Sequence, residues 1–310
     1  MTLVRLAHIM PPVTVIINAS SGIGAKDDLR QRLNDAFEAS SLEVKILLAH
    51  SGAEVIELAR RAAHSTSGVV VAGGGDGTIN AVATAIIDHD KTLGVLPLGT
   101  LNHFAKDLNI PLDIEAAAQT IVAGHSIEVD VGEVNGRVFL NNSSLGLYPQ
   151  IVREREKQKR LGYRKWPAFA WAALTVLRRY PFLDVRLQVA GKEFQRRTPF
   201  VFVGNNQYVM ESFSIGIRER LDEGQLSLYI TNRTGRLGLA RLALRALLGR
   251  MREEKDFLAL SAHEVWIATR HKKLRVATDG EVELLVTPLH YRVRPRALRV
   301  IVPAPNSQPG

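Results

Sequence analysis

The stretch VVVAGGGDGTINAVATAI, residues 69–86, joins a β-branched apolar run to an apolar run with helical spacing through a glycine-rich turn. Glycines at such a turn allow positive φ angles and let a ligand approach the backbone closely. The N–H groups and dipole at the start of the following helix suit phosphate groups. Asp76 stands inside this turn, where its carboxylate would repel phosphate unless it holds a divalent cation, directly or through water. The alternative is an Asp-Gly turn with Asp76 as the helix N-cap.

Strand-like and helix-like runs alternate along the first 124 residues. This alternation predicts a doubly wound parallel α/β sheet, in which ligands bind beyond the carboxyl ends of the strands. Three loops rich in small polar residues lie at such ends, and we expect them to form one site. The predicted strands lie at 13–20, 43–49, 68–73 and 92–99, and the predicted helices at 27–40, 52–64, 78–87 and 113–124.

After residue 128 the sequence alternates between apolar and polar residues instead. Asn135-Gly136 lies between two such runs, which is a strong signal of a β-hairpin, and a second turn is predicted at residues 190–191. We therefore predict a mainly antiparallel β-sandwich, interrupted by helices near 150–179 and 234–253. The predicted domains are residues 1–128 and 129–303, followed by a tail at 304–310.

Composition and charge limit the classes of protein. The 310 residues include no cysteine, which excludes disulfides and thiolate metal sites. No uncharged apolar run is long enough to span a membrane, and no secretory signal pattern is present, so we expect a cytoplasmic protein. Residues 1–130 hold 9 basic and 15 acidic side chains, whereas the remainder holds 31 basic and 16 acidic ones. The basic half favours an anionic partner, or alternatively serves only solubility.

The motif Gly74-Gly75-Asp76-Gly77-Thr78, followed by PLGTLNHFA at 97–105, resembles the catalytic domain of the diacylglycerol kinase family. The resemblance is to the soluble bacterial lipid kinases, which are related to sphingosine and ceramide kinases and more distantly to NAD kinases. It covers almost the whole chain and includes Asp279-Gly280-Glu281. It implies that ATP, with Mg²⁺, donates its γ-phosphate to a lipid hydroxyl in a cleft between the two domains.

The same resemblance implies which residues bind the nucleotide. Two positions depart from the family pattern. Ala19 stands where the family usually has proline, and His103 stands where it commonly has aspartate. The implied nucleotide site consists of Asn18, Ala19, Ser20, Ser21, Gly22, Gly73, Gly74, Gly75, Asp76, Gly77, Thr78, Asn80, Gly99, Thr100 and Asn102.

Phosphoryl transfer also needs a carboxylate that orients or deprotonates the acceptor hydroxyl. Asp279 and Glu281 are two residues apart, so in a strand they would share a face, and by family analogy this pair contains the base. The residues alone do not rank the two. Asp76 is the third catalytic candidate. The alternative for the pair is an ordinary Asp-Gly hairpin turn.

A structural Mg²⁺ site is implied by likeness to a family segment around residues 218–228. In the family segment the ion takes one carboxylate and two backbone carbonyls. The matching positions are Arg220, Glu223 and Gln225, and Glu223 stands where the family has aspartate. Asp222 could compensate for this change. The alternative is a solvated acidic turn.

A basic and aromatic segment at 153–180 is typical of a membrane interface. We therefore expect a kinase that docks peripherally on an anionic membrane, unless this segment and the helix near 234–253 only pack on the β-domain. The chain lacks a recognisable nucleic-acid-binding module, and a homodimer is compatible with the sequence. Two other functions stay open: a kinase for a soluble acceptor such as NAD, and a non-catalytic protein that binds nucleotides or anions.

Overall fold

The computed structural model describes residues 12–19, 26–38, 40, 42–146, 182–189, 191–208, 218–231 and 257–305. The chain divides into two compact units. Unit 1 contains Met1–Glu128 and Ala297–Gly310, and unit 2 contains Val129–Arg296. The helices expected near 150–179 and 234–253 lie outside the described residues.

Unit 1 contains the predicted parallel sheet. Its strands run in the order β2-β1-β3-β4, and each neighbouring pair is parallel. The valines and isoleucines of β1, β3 and β4 are buried because helices cover the sheet, and Val15, Ile16, Val70 and Val71 are at most 1% exposed. Those of the edge strand β2 are only partly buried. The strands are β1 (Val13–Asn18), β2 (Val44–Ala49), β3 (Val69–Gly74) and β4 (Thr92–Pro97).

The helices of unit 1 begin at polar caps where the sequence provides them. Ser51 accepts a hydrogen bond from the N–H of Glu54, and Asp113 accepts one from Ala116. Gly124, in the left-handed region with φ of 68°, ends the last helix. The helices are α1 (Lys26–Glu38), α2 (Gly52–Ala63), α3 (Asp76–Ile86), α4 (His103–Asp107) and α5 (Ile114–Ala123).

Unit 2 is the predicted antiparallel β-sandwich. One sheet has the order β12-β11-β10-β7-β14-β15, and the other contains β16, β13, β8 and β9 with β5 and β6 alongside. Their facing side chains form one core, to which Val203 and Val276 contribute from the first sheet and Val265 and Tyr291 from the second. The strands are β5 (Ser126–Val134), β6 (Arg137–Phe139), β7 (Asn142–Gly146), β8 (Leu183–Val189), β9 (Lys192–Thr198), β10 (Phe200–Asn205), β11 (Leu226–Thr231), β12 (Phe257–Ala262), β13 (Glu264–Thr269), β14 (Lys273–Thr278), β15 (Glu281–Val286) and β16 (Leu289–Ile301).

The end of β16 departs from the predicted domain boundaries. Arg299 and Val300 pair in parallel with Thr92 and Leu93 of β4, so this part of β16 is a strand of the unit 1 sheet. Residues 297–303 therefore belong to unit 1, although the sequence grouped them with the β-sandwich. The first boundary between the units follows Glu128. No helix in the described part of the chain is long and apolar enough to cross a membrane.

Candidate active site

Three loops of unit 1 are joined by hydrogen bonds at the carboxyl ends of β1, β3 and β4. Asn18 Nδ2 donates to Thr78 Oγ1 at 3.1 Å, which links the first loop to the second. The N–H of Leu98 donates to the carbonyl of Gly74 at 3.0 Å, which links the third loop to the second. The three loops are thus in direct contact, and their joint role as a nucleotide site stays a prediction. Ser20, Ser21 and Gly22 lie outside the described residues.

The glycines of this site are required by close packing. A Cβ added to Gly99 would lie 2.4 Å from Cα of Gly75, and one added to Gly74 would lie 2.5 Å from the Thr78 side chain. None of the glycines at 73, 74, 75, 77 and 99 has a positive φ angle. The turn therefore does not use the positive φ angles that its glycines allow, and the glycines instead let the loops after β3 and β4 pack closely. Close approach of a ligand to this backbone stays a prediction.

Asp76 is the first residue of α3, and its N-cap is Gly75. The N-cap alternative for Asp76 is therefore wrong. One oxygen, Oδ1, accepts a hydrogen bond from the N–H of Phe104 at 3.2 Å, and among the described residues Oδ2 has no hydrogen-bond partner. The half-buried carboxylate lies at the positive end of the helix dipole, where negative charge is stabilised. Asp76 thus combines a fixed orientation with one oxygen that can bind a cation or a bridging water.

Asn102 shapes the third loop through its own carboxamide. Its Oδ1 accepts from the N–H of Gly99 at 3.0 Å, and its Nδ2 donates to the carbonyls of Pro97 and Gly99. Asn102 is 5% exposed and has a φ of 50°, a conformation that asparagine tolerates. The side chain thus holds the loop in place, and Thr100 and His103 are exposed on either side of it.

In unit 2, Asp279 lies in a hairpin turn. Asp279 and Gly280 both have positive φ, 47° and 90°, and join β14 to β15. The hairpin alternative for this pair is therefore correct for the backbone. The carboxylate accepts three hydrogen bonds from the consecutive N–H groups of Leu140, Asn141 and Asn142, at 2.7 to 3.0 Å. Because Asp279 is in the turn, the argument that it shares a strand face with Glu281 does not hold.

Glu281 differs from Asp279 in its surroundings. It is the first residue of β15, it remains accessible to solvent, and within the described residues its carboxyl group has no hydrogen-bond or ion-pair partner. Partial burial raises the pKa of Glu281, and the negative charges of Glu283 and Asp279 raise it further, against an opposing effect of Arg137. An unpaired carboxyl group with a raised pKa is chemically suited to accept a proton.

Comparison with known families agrees with this geometry. Residues 12–134 match the family model of the diacylglycerol kinase catalytic domain, and residues 148–302 match the YegS C-terminal NAD kinase beta sandwich-like domain. The chain belongs to the diacylglycerol kinase catalytic-domain family. It is a lipid kinase of the two-domain type that the sequence predicted.

Individual relatives support the same assignment. A diacylglycerol kinase of Staphylococcus aureus, strain MRSA252, is 28% identical over 272 residues, which cover 86% of this chain and 85% of that protein. A crystal structure from Bacillus anthracis, described as that of a candidate diacylglycerol kinase, has 23% identity and a TM-score of 0.79, and covers 97% of this chain and 99% of its own. A second structure from that organism has 22% identity and a TM-score of 0.72, and covers 94% and 97%. The two structures share the fold of this lipid kinase.

The turn that the sequence indicated as a magnesium site in this lipid kinase is held by an ion pair. Arg220 donates two hydrogen bonds to Asp222, at 3.1 and 3.2 Å, and this contact lowers the pKa of Asp222. Glu223 accepts from the side chain of Gln225 at 3.0 Å, and the Gln225 carbonyl accepts from the N–H of Asn206. Because the Arg220 guanidinium takes both Asp222 oxygens, Asp222 is not free to compensate for Glu223. A cation site built from the Glu223 carboxylate and the backbone carbonyls of Arg220 and Gln225 stays a prediction. The described residues also contain no group of three or more His, Asp or Glu side chains placed to hold a metal.

Sequence reasoning missed the buried polar network beneath the Asp279 turn. Arg218 is 1% exposed, and its guanidinium donates to the carbonyls of Leu140 and Asn205 and to Asn141 Oδ1. The Tyr208 hydroxyl donates to the Asn141 carbonyl, and the centroid of its ring lies 5.5 Å from the guanidinium carbon of Arg218. Asp279 and Arg218 thus bind the same segment, Asp279 through its N–H groups and Arg218 through the Leu140 carbonyl and the Asn141 side chain. Within a run of charged residues at 218–223, no pattern marks Arg218 as the buried one.

Proposed function

We propose that this lipid kinase transfers the γ-phosphate of ATP, bound as its Mg²⁺ complex, to the free hydroxyl of diacylglycerol. The observation that carries the proposal is the Asp76 carboxylate, which Phe104 orients through one oxygen while the other is free among the described residues. The S. aureus relatives named diacylglycerol kinase, matched over 86% of this chain, support the choice of acceptor.

On the nucleotide side, unit 1 supplies hydrogen-bond donors and one carboxylate. The N–H groups in the first turn of α3, at Asp76 and Gly77, lie where a helix leaves its donors without intrahelical acceptors, and they suit phosphate oxygens. Asn18, Thr78 and Thr100 add polar side chains around these donors. Bound Mg²⁺ would supply charge neutralisation between the phosphates, and Oδ2 of Asp76 would hold it directly or through water.

On the acceptor side, Glu281 takes the proton of the lipid hydroxyl as the hydroxyl oxygen attacks the γ-phosphorus. A new P–O bond forms to the lipid, the bond from the γ-phosphorus to the bridging oxygen breaks, and ADP leaves with that oxygen. Asp279 is a positioning residue, because its oxygens accept from three backbone N–H groups. The free carboxyl group of Glu281 and its raised pKa support this division of roles.

The proposal is tested by transfer of labelled γ-phosphate to diacylglycerol, phosphatidylglycerol, ceramide and sphingosine in mixed micelles, with NAD as a soluble acceptor. We expect label on diacylglycerol and its loss in Asp76→Asn. Asp113→Asn, a carboxylate replaced at another helix start, is the matched control and keeps activity. Label on NAD alone would overturn the proposal in favour of a kinase for a soluble acceptor. Absence of both phosphate transfer and ATP binding would overturn it in favour of a non-catalytic protein.

We also propose that the kinase acts at the surface of an anionic membrane, because its acceptor is a bilayer lipid and residues 131–310 hold 31 basic against 16 acidic side chains. The segment at 153–180, which the sequence indicated for docking, lies outside the described residues. A homodimer remains a prediction of the sequence, and light scattering on the purified protein tests it.

A further inference from the structure

The β14–β15 hairpin carries two of the most exposed apolar side chains in the described part of the chain. Leu284 is 58% exposed and Val286 is 57% exposed, whereas Trp266 in the facing sheet is 37% exposed. Both residues lie on β15, which is an edge strand and pairs with β14 alone among the described strands. Edge strands usually carry charged residues or proline that discourage contact, and β15 has neither at these two positions.

Cations lie directly beside these apolar side chains. In the antiparallel register Lys273 is opposite Val286 and Arg275 is opposite Leu284, and directly opposed residues share one face of the sheet. The turn before β14 adds Lys272, whose carbonyl accepts from the N–H of Thr287 at 3.1 Å, and it also contains Arg270, two positions earlier in the chain. We call this set the hairpin patch, and all its members are exposed: Arg270, Lys272, Lys273, Arg275, Leu284 and Val286.

The cations of the hairpin patch are unpaired within the residues that the structure describes. None of the four has a carboxylate within ion-pair distance there, whereas Arg137 pairs with Glu283 at 3.1 Å and Arg292 pairs with Glu133 at 2.8 Å. Side chains of a strand alternate between faces, so Glu281 and Glu283 lie on the face opposite to Leu284. Leu285 identifies that opposite face as the inner one, because it packs against the sandwich core. The outer face of this hairpin therefore combines positive charge with apolar surface and has no acidic side chain.

We propose that the hairpin patch docks on an anionic lipid bilayer. Leu284 and Val286 would enter the boundary between headgroups and acyl chains, and the four cations would contact anionic headgroups around them. This inference rests on the proposed function, because a kinase whose acceptor stays in the bilayer must reach its surface.

The composition of the patch favours a bilayer over other anionic partners. A nucleic acid would use the cations but would leave Leu284 and Val286 exposed to water. Edge-to-edge pairing with a second copy would use the β15 backbone and its apolar side chains but would bring two sets of cations together. An anionic bilayer uses both features, since each exposed basic residue near such a surface strengthens binding about fivefold and the apolar side chains add to it.

The test is sedimentation with vesicles of phosphatidylcholine, alone or mixed with phosphatidylglycerol. One variant replaces Lys272, Lys273 and Arg275 by glutamine, and another carries Leu284→Thr and Val286→Thr, which retain strand-forming side chains. The matched controls remove three exposed cations of the β8–β9 hairpin, Arg186, Lys192 and Arg196, or replace the 50% exposed Leu112 by threonine. Phosphate transfer to a short-chain, water-dispersed diacylglycerol reports on folding and chemistry independently of docking.

We expect wild type to bind vesicles that contain phosphatidylglycerol and to bind phosphatidylcholine vesicles far more weakly. The triple glutamine variant should bind on the order of 100-fold more weakly, from about fivefold per cation, while both controls bind as wild type does. All variants should retain transfer to the water-dispersed acceptor. The docking proposal would be overturned if the patch variants bound vesicles as wild type does, or if the controls lost as much binding as the patch variants. Dimerisation that depends on Leu284 would also overturn it.

The two proposals fail in different measurements. If vesicle binding does not depend on the hairpin patch while transfer to the water-dispersed acceptor is normal, the docking proposal is overturned and the kinase proposal stands. Patch-dependent vesicle binding without transfer to any lipid would overturn the proposed acceptor and leave the docking surface standing.

Discussion

At the scale of single residues, Asp279 and Glu281 are two positions apart and have opposite environments. Asp279 accepts three backbone hydrogen bonds, whereas Glu281 has no such partner among the described residues. We expect Asp279→Asn to lower the free energy of unfolding by about 1–3 kcal/mol, because an amide cannot accept all three bonds. Glu281→Gln should leave stability unchanged and slow transfer by roughly 10²–10⁴-fold. Chemical denaturation and turnover at saturating ATP measure the two effects, and the reverse pattern would exchange the roles of the two residues.

The raised pKa of Glu281 predicts a particular pH profile. A base acts when ionised, so kcat/KM should fall as the pH drops through the raised pKa, above the ordinary glutamate value of about 4.3. Glu283→Gln removes a negative neighbour and frees Arg137, and both changes lower the pKa of Glu281. The acidic limb of the profile should therefore move to lower pH. Glu193→Gln, on the exposed β9 strand, is the control, and an unmoved limb in Glu283→Gln would contradict the assignment of Glu281 as the base.

The contact between Gly75 and Gly99 gives a second residue-scale prediction. Gly99→Ala would place a Cβ 2.4 Å from the Gly75 backbone, so the loops after β3 and β4 must separate. Gly75→Ala would place its Cβ 3.4 Å from Gly99, an ordinary contact. We expect Gly99→Ala to cost about 1–3 kcal/mol of stability and to weaken ATP binding in calorimetry, whereas Gly75→Ala should have little effect on stability. Wild-type ATP affinity in Gly99→Ala would mean that this packing does not shape the nucleotide site.

At the scale of elements, the β5–β6 hairpin depends on left-handed backbone. Asn135 and Gly136 have φ angles of 47° and 81°, as a type I′ turn requires. No atom lies within 4 Å of a Cβ at Gly136, so Gly136→Ala should cost about 1–2 kcal/mol through backbone strain alone. Gly52→Ala is the control, because that site is equally open and its φ is not left-handed. Denaturation of both variants measures the difference, and equal stability would remove the turn as a determinant of this hairpin.

How far the sequence predicts these elements depends on how local their causes are. The strand-helix alternation predicted the parallel sheet, and Asn135-Gly136 predicted its hairpin, because both signals reside in neighbouring residues. The start of α3 was placed two residues late, because Asp76 and Gly77 are poor helix formers and only the structure shows Gly75 as the N-cap. The buried Arg218 and the outer face of β14–β15 were missed, since both depend on which strands become neighbours.

At the scale of the whole molecule, the chain passes from unit 1 to unit 2 and returns in β16. The sequence did not indicate this return, because an alternating strand such as β16 has no local mark of which sheet its end will join. Arg299 and Val300 complete the parallel sheet beside β4. Unit 1 therefore depends on residues that follow the whole of unit 2 in the sequence.

Deletion of residues 297–310 tests this dependence. It removes Leu298, Val300, Ile301 and Val302, each at most 6% exposed, and their burial contributes about 1.5–3 kcal/mol each. The sum, roughly 6–12 kcal/mol, is comparable to the whole stability of a domain, about 5–15 kcal/mol. We therefore expect the deleted chain to lose ATP binding in calorimetry together with its parallel-sheet unit, whereas a deletion that begins after Ala304 retains both. ATP binding at wild-type affinity by the longer deletion would show that β1 to β4 form a stable nucleotide site without β16.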